Sequence, residues 1–372
     1  MNKKDVVQRI LVFRIGQLGD TIVALPAMWA VRKTYPTAHL ALLCDRHQNA
    51  SYVLSTTLLS GSGLFDEFLE YPVSDTVGRF SHAIHLIRAL RKKQFDTLVY
   101  LAPTTRTPRQ INRDRWFFRL AGIRNFLGME GFEQLQQKRA GEPLRPTPPE
   151  SELLLRRVVH GEQQLSPLLD AGFALNPGLR EAKTLQNWLD TVHPDGGRPW
   201  IAVGPGTKMP AKQWPLERFE WVIARLIEEF DVWPVVFGGP DEREMGESLL
   251  RSWKRGYNAA GSLELRTAAL ALKRCVLYLG NDTGTMHLAA AAGAPCVALF
   301  SAREHPGLWY PYGTRHRVFR SDIDCEGCFL VTCLDRENEC LKKITSQEVL
   351  KGCVETLRET LNHNILINAL KA

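Results

Sequence analysis

The chain has 372 residues, 44% hydrophobic and 23% charged, with 47 Lys+Arg against 40 Asp+Glu for a formal net charge of +7. That length and apolar content suit two folded domains with ample core. No apolar run approaches the roughly 18 residues of a membrane helix, and Met1-Asn2-Lys3-Lys4-Asp5 leads directly into an expected strand, so neither a membrane span nor a signal peptide is expected.

In chain order, Ile10-Leu11-Val12-Phe13-Arg14-Ile15 reads as a buried strand (10–15), Gly16-Gln17-Leu18-Gly19-Asp20 as a turn, and 21–34 as a helix. The Gly-x-x-Gly-Asp spacing is not the G-x-G-x-x-G dinucleotide fingerprint. Asp20 falls at a helix start, where a carboxylate favours the dipole whether or not it has a second task. A strand at 39–44, further α/β units and a strand at 97–101 follow.

From Arg88 to Arg119, nine basic residues stand against Asp96 and Asp114. Those up to Lys93 read as a solvated helix face. Arg109, Arg113 and Arg115 read as loop residues that would steer an anionic ligand. Nucleic acid is disfavoured, since no helix-turn-helix, zinc-finger or aromatic RNA-binding motif is present. Residues 143–149 are proline-rich and expected to cross a surface. A helix is expected near 150–161, and 176–199, with Pro177-Gly178 and Pro194-Asp195-Gly196-Gly197, reads as a connector.

The second half alternates strand 201–204, helix 216–230, strand 233–237, helix 241–254, a short strand at 257–259, helix 264–273, strand 275–279, helix 285–293 and strand 295–300. Such alternation predicts a parallel sheet. After the first of these strands comes Gly204-Pro205-Gly206-Thr207-Lys208, then Lys212-Gln213-Trp214-Pro215. Glycines admit a ligand to the backbone, and Lys208 and Lys212 supply charge for phosphate, although no Walker motif is present. After strand 275–279, Gly280-Asn281-Asp282-Thr283-Gly284 opens a helix with His287 one turn past Thr283. Asp282 or Thr283 is expected to cap it, and its N–H groups suit a phosphate. All three loops follow strand ends, where open α/β sheets bind ligands.

Four motifs in order resemble glycosyltransferase family 9, the ADP-heptose:lipopolysaccharide heptosyltransferases. They are Arg14-Ile15-Gly16-Gln17-Leu18-Gly19-Asp20 with Pro26-Ala27, Lys212-Gln213-Trp214-Pro215, Phe237-Gly238-Gly239-Pro240, and Asn281-Asp282-Thr283-Gly284 with His287. The resemblance spans residues 10 to about 345. It implies an α/β protein of the GT-B fold, two Rossmann-like parallel-sheet domains facing across a cleft. It implies inverting transfer of a heptose from an ADP-heptose donor to a lipopolysaccharide core acceptor, with no cofactor required. The alternative is a related nucleotide-sugar transferase with a protein acceptor, such as an autotransporter, or another glycan.

On this resemblance Asp20 is the base that deprotonates the acceptor. Lys212, Thr207, Lys208, the backbone at Thr283 and Gly284, and His287 meet the leaving diphosphate, a task suited to pre-placed donors. Asp282 is expected to hold donor sugar hydroxyls, and Glu242 the ribose, although Glu242 also suits a plain helix start. Gly19, Arg109, Arg113 and Arg115 are expected to face the anionic acceptor. Gly261 departs from relatives that carry a larger apolar residue against the adenine. The expected place of action is the cytoplasm, at the inner face of the inner membrane, with peripheral membrane contact through the acceptor.

The boundaries expected are 1–170 for an acceptor-binding domain, 171–198 for a connector, 199–345 for the nucleotide-sugar domain, and 346–372 for a C-terminal helix. Of eight cysteines, Cys44, Cys275, Cys296 and Cys353 read as core thiols. Cys325, Cys328, Cys333 and Cys340 lie in a polar loop (325–340), where four thiolates suit a structural zinc or iron and free thiols are the alternative. This loop follows the last expected strand and is expected to stand away from the phosphate-facing loops.

Overall fold

The computed structural model describes residues 8–47, 52–73, 79–139, 141–159 and 165–371. The expected lead-in at Met1–Asp5, and Gly161 at the end of the helix expected near 150–161, lie outside the described residues. Two compact units divide the chain. One comprises residues 1–135 and 150–176, the other 136–149 and 177–372.

The first unit runs β1 (Arg9–Phe13), α1 (Leu18–Val23), α2 (Leu25–Thr34), β2 (His39–Arg46), α3 (Ser55–Leu59), β3 (Glu67–Pro72), α4 (Arg79–Lys93), β4 (Thr97–Tyr100), α5 (Pro108–Leu120), β5 (Asn125–Leu127), α6 (Glu150–Arg156) and α7 (Leu165–Ala171). Its five strands pair in parallel in the order β3-β2-β1-β4-β5, so strand order reverses between β1 and β4. Ile10, Leu11 and Val12 are fully buried, the signature of a strand covered on both faces. The helix expected at 21–34 is two helices. Pro26 has no N–H to continue the ladder, and the break falls at Ala24.

The second unit runs α8 (Leu179–Leu189), β6 (Trp200–Gly204), α9 (Leu216–Phe230), β7 (Trp233–Val236), α10 (Arg243–Trp253), β8 (Tyr257–Asn258), α11 (Leu265–Lys273), β9 (Cys275–Asn281), α12 (Gly284–Ala292), β10 (Cys296–Phe300), β11 (Arg317–Arg320), α13 (Glu339–Lys342) and α14 (Ser346–Lys371). Six parallel strands pair in the order β11-β10-β9-β6-β7-β8, reversing between β6 and β9. The core joins strand residues Ile201, Val203, Leu277 and Leu299 to Phe219, Val222 and Leu226 of α9 and Val349 and Leu357 of α14.

Within the stretch expected as a connector stands α8, fastened to α11 by the Arg266–Glu181 ion pair at 3.1 Å. The proline-rich stretch is a strap on the second unit. The Leu144 N–H donates to Glu326 Oε1 at 2.7 Å, and the Thr147 N–H to the Pro306 carbonyl at 2.8 Å.

Candidate functional site: loops at two switch points

In the second unit, the loops after β6 and β9 meet where the strand order reverses, the place at which open α/β sheets bind ligands. Asn281, fully buried at the end of β9, ties them together. Its Nδ2 donates to the Pro205 carbonyl at 2.7 Å and its Oδ1 accepts from the Trp214 N–H at 3.2 Å. Trp214, also fully buried, donates through Nε1 to the Ile344 carbonyl at 3.0 Å. The 3-10 turn Pro210–Lys212 is thereby fixed, and the Lys212 ammonium donates to Asp282 Oδ2 at 2.6 Å.

That bond corrects the capping expectation. Asp282 is spent on Lys212. Thr283 stands at the N-cap of α12 without a side-chain cap bond, which leaves first-turn N–H groups for a ligand. His287 lies one turn in, buried, its ring edge-on to Trp309 with centroids 6.3 Å apart. Burial pushes its pKa down to about 4. The Lys212 charge acts in the same direction and the Asp282 charge opposes it, so the ring is neutral at pH 7. It can offer an N–H to a phosphate but no positive charge.

Glu242 closes the 3-10 turn Pro240–Glu242 and accepts the Gly239 N–H at 2.7 Å. Its carboxylate fills the space beside Gly206 and Gly238, where any Cβ would collide with it. Burial raises the Glu242 pKa and lowers that of Lys208, and each opposes the other's shift through its charge. Thr207 accepts the Met209 N–H at 3.2 Å on the same loop. Gly261 has a φ of +65°, and a Cβ there would lie 2.7 Å from the Pro240 Cα. Backbone geometry therefore explains why no larger residue stands at this position.

Three residues of this site were missed by sequence reasoning. Tyr278 of β9 places its hydroxyl against Gly204 and Gly280, filling the space their Cβ atoms would need. Glu304 lies 3.6 Å from the Lys212 ammonium and pairs with Arg303. Both follow β10, and the rule that ligand loops follow strand ends could have found them; Tyr278, inside a strand, gave no signal.

In the first unit, Asp20 is the third residue of α1 and not its cap. Its Oδ2 accepts the Gln17 N–H at 3.0 Å, and its Oδ1 stands 3.4 Å from Nη2 of the fully buried Arg14. Gly19 precedes it in the same helical turn. Arg14 also donates through Nη1 to the Leu101 carbonyl at 2.7 Å, spanning the β1–β4 switch point. Gly16, at φ +113°, leaves the space that the Asp20 carboxyl occupies, and its N–H donates to Asp45 Oδ1 at 3.0 Å. Asp45 in turn accepts from Tyr52 at 2.8 Å and contacts His47 Nε2 at 3.0 Å. Below, buried Glu150 accepts the Thr104 N–H at 2.9 Å. Burial raises its pKa, with the Arg14 charge opposing.

The basic residues expected on a loop are on a helix. Arg109, Arg113 and Arg115 all belong to α5, whose N-cap Thr107 accepts the Gln110 N–H. Arg113 donates to Asp114 Oδ1 at 2.7 Å and Arg115 lies 3.9 Å from Glu130, whereas Arg109 is exposed.

The cysteine loop shows the free-thiol alternative and departs from expectation in its placement. Cys325, Cys328, Cys333 and Cys340 are free, and among the described residues no group of three or more His, Cys, Asp or Glu is placed to hold a metal ion. Ion pairs shape the segment instead, with Arg336 bound to Asp324 and Arg320 to Glu326. Nor does the loop stand apart. The Ala211 N–H donates to the Val331 carbonyl at 3.0 Å, and Asn338 Nδ2 to the Pro210 carbonyl at 2.7 Å, beside Lys212.

Comparison with known proteins fits this geometry. The chain is similar to the lipopolysaccharide heptosyltransferase 2 of Escherichia coli (strain K12), 34% identical over 132 residues, which is 33% of this chain and 36% of that protein. The chain thus spans about a third of that relative's length in the match. Among solved structures, a glycosyl transferase family 9 protein from Veillonella parvula DSM 2008 superposes with a TM-score of 0.71 at 21% identity, covering 96% of this chain and 100% of that one. The E. coli ADP-heptose lps heptosyltransferase II superposes with a TM-score of 0.65 at 21% identity, covering 95% and 99%. These likenesses show that the two parallel-sheet units have the GT-B fold. Residues 169–338 match the model of glycosyltransferase family 9 (heptosyltransferase), the family that the motifs of this chain resemble.

Proposed function

We propose that the chain is an inverting glycosyltransferase that moves a heptose from ADP-heptose to an anionic acceptor in the lipopolysaccharide core. The observation that supports this most is the Lys212–Asp282 pair at the β6–β9 switch point, beside the open N-terminus of α12. A cation, a helix end and a carboxylate converge there, as a sugar diphosphate requires. Lys212 and the N–H groups from Gly284 onward would meet charge developing on the leaving phosphate, with Lys208 and Thr207 on the adjoining loop. Asp282 would then turn to donor sugar hydroxyls, and Glu242, close to Lys208, to the ribose. In this reading the donor belongs to 199–345, the acceptor to 1–170, and 346–372 is a closing helix.

Asp20 would take the proton of the acceptor hydroxyl as its oxygen bonds to the anomeric carbon and the bond to ADP breaks. The Gln17 N–H and Arg14 orient the carboxylate for that role. Positive charge for the leaving group comes from the chain's own residues, so the proposal includes no cofactor. Among the described residues no helix is long and apolar enough to cross a membrane. Action at the cytoplasmic face of the inner membrane, with contact made through the lipid-linked acceptor, is part of the same proposal. Mass spectrometry of transfer, using a panel of nucleotide sugars and truncated lipopolysaccharides, tests it. Heptose gained only from ADP-heptose is expected; transfer to a protein acceptor, or no transfer, would overturn it.

A further inference from the structure

Lys212 is held from two sides. Its ammonium lies 2.6 Å from Asp282 Oδ2 and 3.6 Å from Glu304 Oε1. Glu304 is itself held by Arg303, whose Nη1 pairs with Oε1. Arg303 is buried, and its other donors are committed to the cysteine loop. Nε donates to the Leu330 carbonyl at 2.7 Å, and Nη2 to the Phe329 carbonyl at 2.9 Å. A guanidinium held at each of its three nitrogens in this way is a fixed point. One carboxylate would suffice to neutralise one ammonium, and a second adds only repulsion toward a diphosphate. A positional task accounts for it: with Asp282 at 2.6 Å and Glu304 at 3.6 Å, the ammonium is held to two points and not to one.

We propose that Glu304 and Arg303 are a positioning pair for Lys212, with Arg303 referencing the lysine to the backbone of the 325–340 loop. The proposal rests on the reading of Lys212 as the partner of the donor diphosphate. Glu304 acts only through the lysine and does not touch the donor. Removing its charge frees Lys212 from a competitor for phosphate but leaves the ammonium held by Asp282 alone, so its position against the leaving group is less fixed. Binding and turnover should therefore move in opposite senses.

Calorimetry with ADP and steady-state transfer kinetics on the full chain, for the parent, Glu304→Gln, Lys212→Ala and the double variant, provide the test. Glu304→Gln is expected to bind ADP several-fold more tightly while kcat falls about ten-fold. In the Lys212→Ala background the same substitution should change neither, because the lysine through which it acts is gone. A merely structural role for Glu304 would weaken binding and lower the melting temperature in both backgrounds. That result, or an effect of equal size with and without the lysine, would overturn the pair. Glu304→Ala repeats the cycle if Glu304→Gln does not fold. A parent chain that fails to bind ADP would instead overturn the donor-site reading itself.

Discussion

The Lys212 ammonium and the Asp282 carboxylate meet at 2.6 Å across two loops that are 70 residues apart in sequence. Both side chains are nearly buried, at 12% and 7% exposure. The pair therefore keeps a cation and an anion together in a nearly buried place. Removing the cation leaves the nearly buried Asp282 carboxylate without its ion-pair partner. Lys212→Ala is expected to weaken ADP binding more than ten-fold, in the range of one lost charge-assisted contact of about 1.5–3 kcal/mol. Calorimetry showing unaltered ADP affinity would move the donor diphosphate elsewhere.

Asp20 is oriented by Arg14 and the Gln17 N–H, and its backbone sits in the first turn of α1. Asp20→Ala should leave ADP affinity within two-fold and lower kcat by roughly a hundred-fold or more, the usual range for a lost general base. Turnover equal to the parent's would remove Asp20 from the reaction.

His287 gives the fold an acid limit. Its pKa in the folded chain is about 4, against 6.5 for the free side chain, because burial disfavours the charged ring. Between those values the unfolded chain takes up a proton that the folded chain refuses. Stability from this group is thus complete above pH 6.5 and lost progressively as pH falls toward 4. Over that window the loss approaches roughly 3 kcal/mol at about 1.4 kcal/mol per pH unit. His316, also pushed down to about 4 by burial, titrates with the same sign. Urea unfolding at pH 7 and pH 5 should show a fall about 2 kcal/mol smaller in His287→Gln than in the parent. Identical falls in the two proteins would mean that the ring is protonated in the folded state.

The basic face of α5 is less uniform than its count of arginines suggests. Arg113 and Arg115 lie beside Asp114 and Glu130, and paired charges contribute little to a long-range field. Arg109→Ala alone is expected to raise the acceptor KM and flatten its salt dependence. Arg113→Ala should change both by less than two-fold. Equal effects from the two substitutions would show that the pairing does not hold in solution.

Much of the fold was legible because both-face burial writes itself as apolar runs. Ile201-Ala202-Val203 and Leu277-Tyr278-Leu279 needed no further signal to be read as strands. The edge strand β11 gave none. In β11, Arg317-Val318-Phe319-Arg320 is half-buried throughout, and its pairing to β10 depends on a partner that local sequence cannot name. The site divided in the same way. Lys212 and Asp282 lie in the segments that follow β6 and β9, and Asp20 in the helix that follows β1, so position after a strand singles them out in the sequence. Glu304 became visible only as a neighbour of Lys212, 92 residues away in sequence, a proximity that the β10 register creates. The cysteine loop was misplaced because it follows the last expected strand, while backbone carbonyls tie it to Arg303 and to Ala211, contacts that no side-chain motif records.

The strap at 136–149 sets an order of events for the growing chain. It is synthesised before the sheet it belongs to, yet Leu144 waits for Glu326, 182 residues later, and Thr147 for the carbonyl of Pro306. The first unit can gather all five of its strands while the strap remains unmatched. The second unit cannot finish until the strap is laid down. A fragment beginning at Pro177 would contain all six strands of its sheet and still leave the Glu326 carboxylate without two of its three donors, Leu144 and Lys138. The N-terminal half thus supplies a late closing piece to the C-terminal one, and separate expression of the halves would leave the second incomplete.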